Sequence, residues 1–367
     1  LSPRVECPCG GLLEVVHHPR ESARTLRTRF DRRRRSGDPP VEGSGVWRFR
    51  DLLLPGRGSI VTHPEGNTTL YRREKVAQWV GLEDLALKHE GENPTGSFKD
   101  RGMTVAVTQA VRAGATAVAC ASTGNTSASM AAYAAQVGLP ALVFVPAGKV
   151  AAGKLAQALA YGARTLLVRG DFDTALRLVR ETAETLGVAL LNSINPWRLE
   201  GQKTIVWEML QQRGWEPPDW IVVPAGALGN TSAFGKALRE AKQLGLIRRV
   251  PRVASIQARG ANPFYRSFRT GFAKRFRVQA ETVATAIRIG DPASHDRAVR
   301  TIQETRGVVA AVSDAQILEA KAVVDGAGIG CEPASAAAVA GTRQLLSLIH
   351  ISEPTRLGML SRMPSSA

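Results

Sequence analysis

Cysteine is scarce in this chain: four in 367 residues, too few for a disulfide framework in so long a sequence. Aromatic residues make up only 5%. No apolar run reaches membrane-spanning length without a charge, and no secretory leader is visible at Leu1. No membrane partner is expected, and the cytoplasm is the expected compartment. Acidic side chains are outnumbered 32 to 48, giving a net charge of +16. Such a surplus raises nucleic acid as a partner. The densest basic run, Arg32-Arg33-Arg34-Arg35, has no interleaved aromatic and leads into Ser36-Gly37-Asp38-Pro39-Pro40. It reads as a solvated loop, so no nucleic acid is expected; the surplus can instead help draw in an anionic ligand. Also missing are the glycine-lysine-serine ending of a nucleotide P-loop and the GxGxxG dinucleotide fingerprint.

Metal ligands are equally sparse. Cys7-Pro8-Cys9-Gly10-Gly11 resembles half of a zinc ribbon, but a structural zinc needs four ligands and no second pair follows nearby. His17 and His18 fall in what reads as strand and turn. No metal is expected. Cys120 and Cys331 lie in apolar runs and read as core thiols. The chain opens on leucine, not methionine, and residues missing upstream are expected.

What is present is length for two ordinary domains, 44% hydrophobic residues and 35 glycines. From Ala117 onward, short apolar runs alternate with turns and helical patterns. Ala117–Ala121, Ala141–Val145, Thr165–Val168, Ala189–Leu191, Trp220–Val223 and Val253–Gln257 read as strands. The segments between them read as helices, including the amphipathic stretch from Phe172 to Leu186. The expected fold class is α/β: two open αβα domains with mainly parallel sheets. Ligands of such sheets sit beyond the carboxyl ends of the strands.

The turns at those positions carry the chemistry. Gly91 to Met103 presents Lys99 between an aromatic, Phe98, and a helix start, with Asp100 as a possible cap and Arg101 as a surface or anion-contacting residue. A lysine amine can bond a carbonyl cofactor once neutral, and desolvation or a nearby cation favours the neutral form. Ser122-Thr123-Gly124-Asn125-Thr126 follows a buried strand and opens a helix; its hydroxyls, amide and N–H groups can receive a carboxylate. Asn192 to Lys203 follows another strand and mixes hydroxyl, amide and arginine donors suited to a second phosphate. Lys203 itself reads as surface or supporting. Pro224 to Thr231 is a glycine turn whose N–H groups can converge on a phosphate at a helix start. A short phosphate tail, such as that of pyridoxal phosphate, fits it better than a dinucleotide.

In this order and spelling, the Lys99 segment, the Ser122–Thr126 turn, the Ser193–Lys203 segment and the Gly226–Asn230 turn resemble the threonine synthases. That family belongs to the pyridoxal-phosphate fold type II group, which is tryptophan synthase beta-like. The likeness spans about Cys7 to Leu345, and Gly-Ser-Phe-Lys-Asp-Arg-Gly-Met favours it over the dehydratases. The resemblance implies that Lys99 carries the cofactor, with Phe98 beside it, and that Asn125 contacts the cofactor ring oxygen. It also implies that Gly226, Ala227, Leu228, Gly229 and Asn230 hold the cofactor phosphate, and that Glu332 lies near the cofactor. Glu332 reads equally as a helix N-terminal acid. Ser122, Thr123 and Thr126 are implied around the substrate, O-phospho-L-homoserine, with Ser193, Arg198 and Asn230 on its phosphate. The implied reaction forms L-threonine and phosphate, and the implied assembly is a homodimer. The alternatives are a threonine or serine dehydratase or another lyase of the same fold, and an inactive truncated relative.

The expected organisation is a zinc-ribbon remnant at 1–20, a larger cofactor-binding domain from 21–90 and 194–345, and a smaller substrate-side domain at 91–193. Leu346 to Arg356 resembles a translated transposon-type sequencing adapter, so 346–367 are expected to be a non-native tail. Family members continue there with a strand and a hydroxyl-bearing turn at the pyridine nitrogen. Truncation is therefore expected at both ends, with the last sheet strand lost.

Overall fold

The computed structural model describes residues 5–36, 40–54, 56, 58–122, 124–147, 152–170 and 172–352. In chain order the elements begin with α1 (Ala23–Ser36), α2 (Pro40–Gly43), β1 (Leu70–Tyr71), α3 (Glu74–Val80), β2 (Leu87–Lys88) and α4 (Lys99–Arg112). There follow β3 (Val118–Ala121), α5 (Asn125–Ala135), β4 (Ala141–Pro146), α6 (Ala152–Ala160), β5 (Arg164–Val168), α7 (Phe172–Leu186) and β6 (Ala189–Leu190). The chain continues through α8 (Pro196–Gln212), β7 (Trp220–Pro224), α9 (Gly229–Gln243), β8 (Arg252–Ala258) and α10 (Pro263–Arg269). It ends with α11 (His295–Glu304), β9 (Val308–Val312), α12 (Asp314–Asp325) and α13 (Pro333–Ser352). The expected α/β class with parallel sheets is the one observed.

Packing divides the chain into two discontinuous units, Leu1–Thr68 with Glu90–Glu208, and Thr69–His89 with Met209–Ala367. This grouping puts residues 21–68, 90 and 194–208 with the segment expected to be the smaller domain.

The first unit holds a four-stranded sheet in the order β5-β4-β3-β6, parallel throughout. Its inner strands are short and apolar because helices cover them: Val118, Ala119, Cys120 and Ala121 are all buried, and α5 and α7 pack on β3 and β4. The chain runs outward from β3 to β4 to β5, then returns to lay β6 on the other side of β3. That reversal is a topological switch point, where open α/β sheets form their crevice.

The second unit holds a three-stranded parallel sheet, β7-β8-β9, and the antiparallel pair β1-β2. Its core gathers Val76 and Val80 of α3, Ala254 and Ile256 of β8, and Ala336, Ala337 and Ala340 of α13. Small side chains let helix and sheet approach closely. A Cβ on Gly341 would meet Ile256 Cδ1 at 2.6 Å.

Three expectations need correction. The Arg32–Arg35 run is helical, the last turn of α1, and Arg33 is buried with its guanidinium on the Arg48 carbonyl (2.8 Å) and the Asp51 carboxylate. The Pro/Gly signal that suggested a loop lies just past the helix end. Of the two readings of Lys203, the surface one fails: it is fully buried and held by Glu200 at 2.6 Å, both on α8. Cys331 is only half-buried, whereas Cys120 is a core thiol that burial pushes up to about 12. Near the C-terminus, α13 runs through the expected junction at Leu346, whose side chain is buried; residues 353–367 lie outside the described residues.

Candidate active site

Lys99 is the first residue of α4, with Phe98 at the helix cap. Its Nζ lies 4.0 Å from the centre of the Phe98 ring. The next two residues anchor it. The Asp100 carboxylate accepts the Thr95 N–H (2.7 Å), the Thr95 hydroxyl (2.6 Å) and the Ser129 hydroxyl from α5 (2.5 Å). Burial pushes this carboxyl up, against the lowering by those hydrogen bonds. Arg101, fully buried, donates to Glu90 (2.6 Å) and Glu208 (2.8 Å) and to the Thr68 hydroxyl (3.1 Å). The two carboxylates outweigh desolvation and raise its pKa. Arg101 is therefore neither a surface nor an anion-contacting residue: its charge is already spent on protein carboxylates. Asp100 caps the preceding turn rather than its own helix. Directly behind, α8 presses on the same turn, and a Cβ on Gly201 would sit 1.7 Å from the Arg101 carbonyl oxygen.

The switch-point crevice lies at the ends of β3 and β6. Asn192 bridges the two strands there: its Oδ1 accepts the Ala121 N–H and its Nδ2 donates to the Ala121 carbonyl, both at 3.1 Å. Asn195 Oδ1 accepts the Trp197 N–H (2.9 Å) and so starts α8. One turn on, Arg198 is 1% exposed. Its Nη1 donates to the Leu191 carbonyl (3.1 Å), while Nε and Nη2 are buried with no partner among the described residues. Burial lowers its pKa to about 10, so it remains a cation at neutral pH. A buried guanidinium with two unpaired edges is costly unless an anion completes it. Ser193 is half-buried in the same turn. On the β3 side, Ser122 Oγ accepts the Gly124 N–H (3.2 Å), and Asn125 and Thr126 open α5, both half-buried. Thr123 lies outside the described residues. The structure thus brings Phe98, Lys99, Ser122, Asn125, Thr126, Ser193 and Arg198 into one unit.

The second unit carries the glycine turn. After β7 the chain passes Ala225 and Gly226 to Leu228, a buried leucine in the left-handed region at φ 66° that caps α9 without a side-chain bond. That conformation is strained for leucine, and such strain collects at binding turns. The N–H groups of residues 226–231 find no acceptor among the described residues. The Asn230 Oδ1 is likewise buried without a partner. Gly226 is held from behind: a Cβ there would lie 2.9 Å from Ile287 Cα. A run of unpaired N–H donors on a helix start is what a phosphate monoester requires, and the residues fit that group. Glu332 is exposed just before α13, the helix-terminal position.

The family described as "Pyridoxal-phosphate dependent enzyme" matches residues 61–360. The threonine synthase of Methanosarcina acetivorans is 46% identical over 342 residues, covering 93% of this chain and 82% of that protein. That of Synechocystis sp. is 48% identical over 316 residues, covering 83% of this chain and 81% of that protein. This chain belongs to the pyridoxal-phosphate-dependent threonine synthases. Among solved structures, Escherichia coli threonine synthase aligns with a TM-score of 0.61 at 23% identity, covering 74% of this chain and 68% of that one. Maize serine racemase aligns with 0.66 at 22% identity, covering 75% and 80%, and shows the shared fold. For a threonine synthase, the residues that sequence reasoning missed are instructive. Asn192 passed as one polar residue among several, though its place at the end of an apolar run marks it as a strand bridge. Ser294, taken up below, stands in Asp291-Pro292-Ala293-Ser294 before an amphipathic stretch, which is a readable helix start.

Proposed function

We propose that this chain converts O-phospho-L-homoserine and water to L-threonine and phosphate, with pyridoxal phosphate as cofactor. The observation that carries this reading is the half-paired Arg198 guanidinium at the switch point. In a pyridoxal-phosphate enzyme whose cofactor phosphate has its own turn, a second built anion grip calls for a substrate with a phosphate of its own.

When bound, pyridoxal phosphate supplies an electron sink for a substrate carbanion. Lys99 would hold the cofactor aldehyde, with Phe98 against its stem, and its free amine would take and return the Cα proton. Gly226, Ala227, Leu228, Gly229 and Asn230 hold the cofactor phosphate, and Asn125 its ring oxygen. Ser122 and Thr123 receive the substrate carboxylate. Ser193, Arg198, Thr126 and Asn230 hold the γ-phosphate, and Arg198 balances its charge as the Cγ–O bond breaks. Overall, Cγ exchanges the phosphate for a proton and Cβ exchanges a proton for the hydroxyl of water, which closes the balance to threonine and phosphate. The division of labour between a larger domain (21–90 and 194–345) with the cofactor and Glu332, and a smaller substrate-side domain (91–193), belongs to the same proposal. So do the homodimer and the cytoplasm.

The test is purified protein with both compounds, scoring threonine and inorganic phosphate. Equal release of the two is expected. Lys99→Ala abolishes both, together with the visible absorbance band of bound cofactor. Ammonia and 2-oxobutanoate from threonine, with no phosphate released from phosphohomoserine, would mean a dehydratase instead.

A further inference from the structure

Helix starts ordinarily use a serine at the cap to accept an N–H from the first turn. Ser313 does so at α12, with Gln316 completing a capping box. Ser294, the cap of α11, does not: its hydroxyl makes no cap bond, is buried, and has no partner among the described residues. The residue is 0% exposed, so bulk solvent does not reach that hydroxyl.

Its place explains the anomaly. The Ser294 N–H donates to the Ala227 carbonyl at 3.2 Å, inside the glycine turn. Ser232 ties the two helix starts together, its hydroxyl lying 2.8 Å from the Leu228 carbonyl and 3.4 Å from the Ser294 carbonyl. Further along, α9 and α11 leave no room between them: a Cβ on Gly235 would fall 2.0 Å from Thr301 Oγ1. Two helix starts of the same unit therefore meet at one turn, and their positive ends add there. A phosphate dianion has only acceptor oxygens, so each ligand around it must be a donor. Ser294 offers an unused O–H beside the unused N–H groups of residues 226–231.

We propose that the Ser294 hydroxyl is a further ligand of the phosphate held by the Gly226–Asn230 turn. The inference rests on the reading of that turn as the cofactor phosphate site. It makes α11, far along the chain from the glycine motif, the second half of the cradle.

The experiment compares wild type with Ser294→Ala by cofactor binding to apoprotein, read by tryptophan fluorescence. Titrations use pyridoxal phosphate and pyridoxal, with thermal melting of each apoprotein alongside. Ser294→Ala is expected to weaken pyridoxal phosphate about tenfold or more and to leave pyridoxal unchanged. The apoprotein should melt no lower than wild type, because the lost hydroxyl bonds nothing there. Ser294→Thr, which keeps the hydroxyl, should bind close to wild type. Unchanged pyridoxal phosphate affinity in Ser294→Ala overturns the inference alone. So does a lowered apoprotein melting temperature with both ligands weakened equally, the mark of a structural cap. Wild-type protein that binds pyridoxal phosphate no better than pyridoxal overturns the reading of the turn, and this inference with it.

Discussion

In the function proposed above, the turns after β3 and β6 and the turn after β7 are two kinds of anion grip. The first works through side chains: Asn192 stitches the strand ends and Arg198 supplies a buried charge with two unpaired edges. The second works through the backbone, with a left-handed Leu228 and the N–H groups of residues 226–231. A charged side chain suits a group that must be bound, cleaved and let go, since its strength depends on the anion present. A peptide cradle suits a group that stays, because its geometry is fixed by the fold and its donors do not titrate.

The comparison breaks most visibly at Arg198. Arg198→Ala is expected to cut kcat/KM for the phosphorylated substrate about a hundredfold, as loss of a charged, desolvated hydrogen-bonding partner does. Cofactor affinity, measured by equilibrium dialysis, should stay within about twofold. Equal losses in both would erase the distinction. The converse change is Gly226→Ala. Its added methyl meets Ile287 Cα at 2.9 Å, so the turn must shift. Cofactor affinity should fall about tenfold, and melting should report a loss of about 1–3 kcal/mol. The smallest effect is a pH dependence. Burial places the Arg198 pKa near 10, so its cation, and with it the substrate grip, is lost as pH rises through that value. In Lys99→Ala apoprotein, with no aldehyde present to bond the substrate amine, substrate should bind about fourfold more weakly at about pH 10.5 than at about pH 8. Peptide N–H groups do not titrate in that window, so cofactor binding should change less.

Much of this was legible in the sequence, for reasons particular residues make plain. β3 and β4 are apolar runs bounded by turn residues, because parallel strands are buried on both faces. Lys99 and the glycine turn stood out because close backbone approach and a lone lysine between an aromatic and a helix start are local patterns. What stayed hidden is what the chain makes only on folding. Asp100 and Arg101 look like ordinary polar residues of a helix start, yet both are fully buried, with partners up to about a hundred residues away: Arg101 meets Glu208, 107 positions on. The arginine run 32–35 misled because the breaking signal Gly37-Asp38-Pro39 sits one residue past the helix end. The strand β9 escaped because Val308–Val312 is a run of only five residues, separated by three from the end of a helix, with no glycine-rich motif to mark it. Ser294 could not be told from a routine cap until its hydroxyl was seen to bond nothing.

The anchoring of Asp100 and Arg101 has a kinetic meaning. With one residue tied to Thr95 and Ser129 and the next locked between two carboxylates, the main chain beneath Lys99 has little to yield. Whatever distance the amine must travel between partners is covered by the torsions of its own four-carbon stem. In the proposed cycle, shuttling by that group need not wait on any rearrangement of the scaffold, which leaves the clock to bond breaking or to the exit of product.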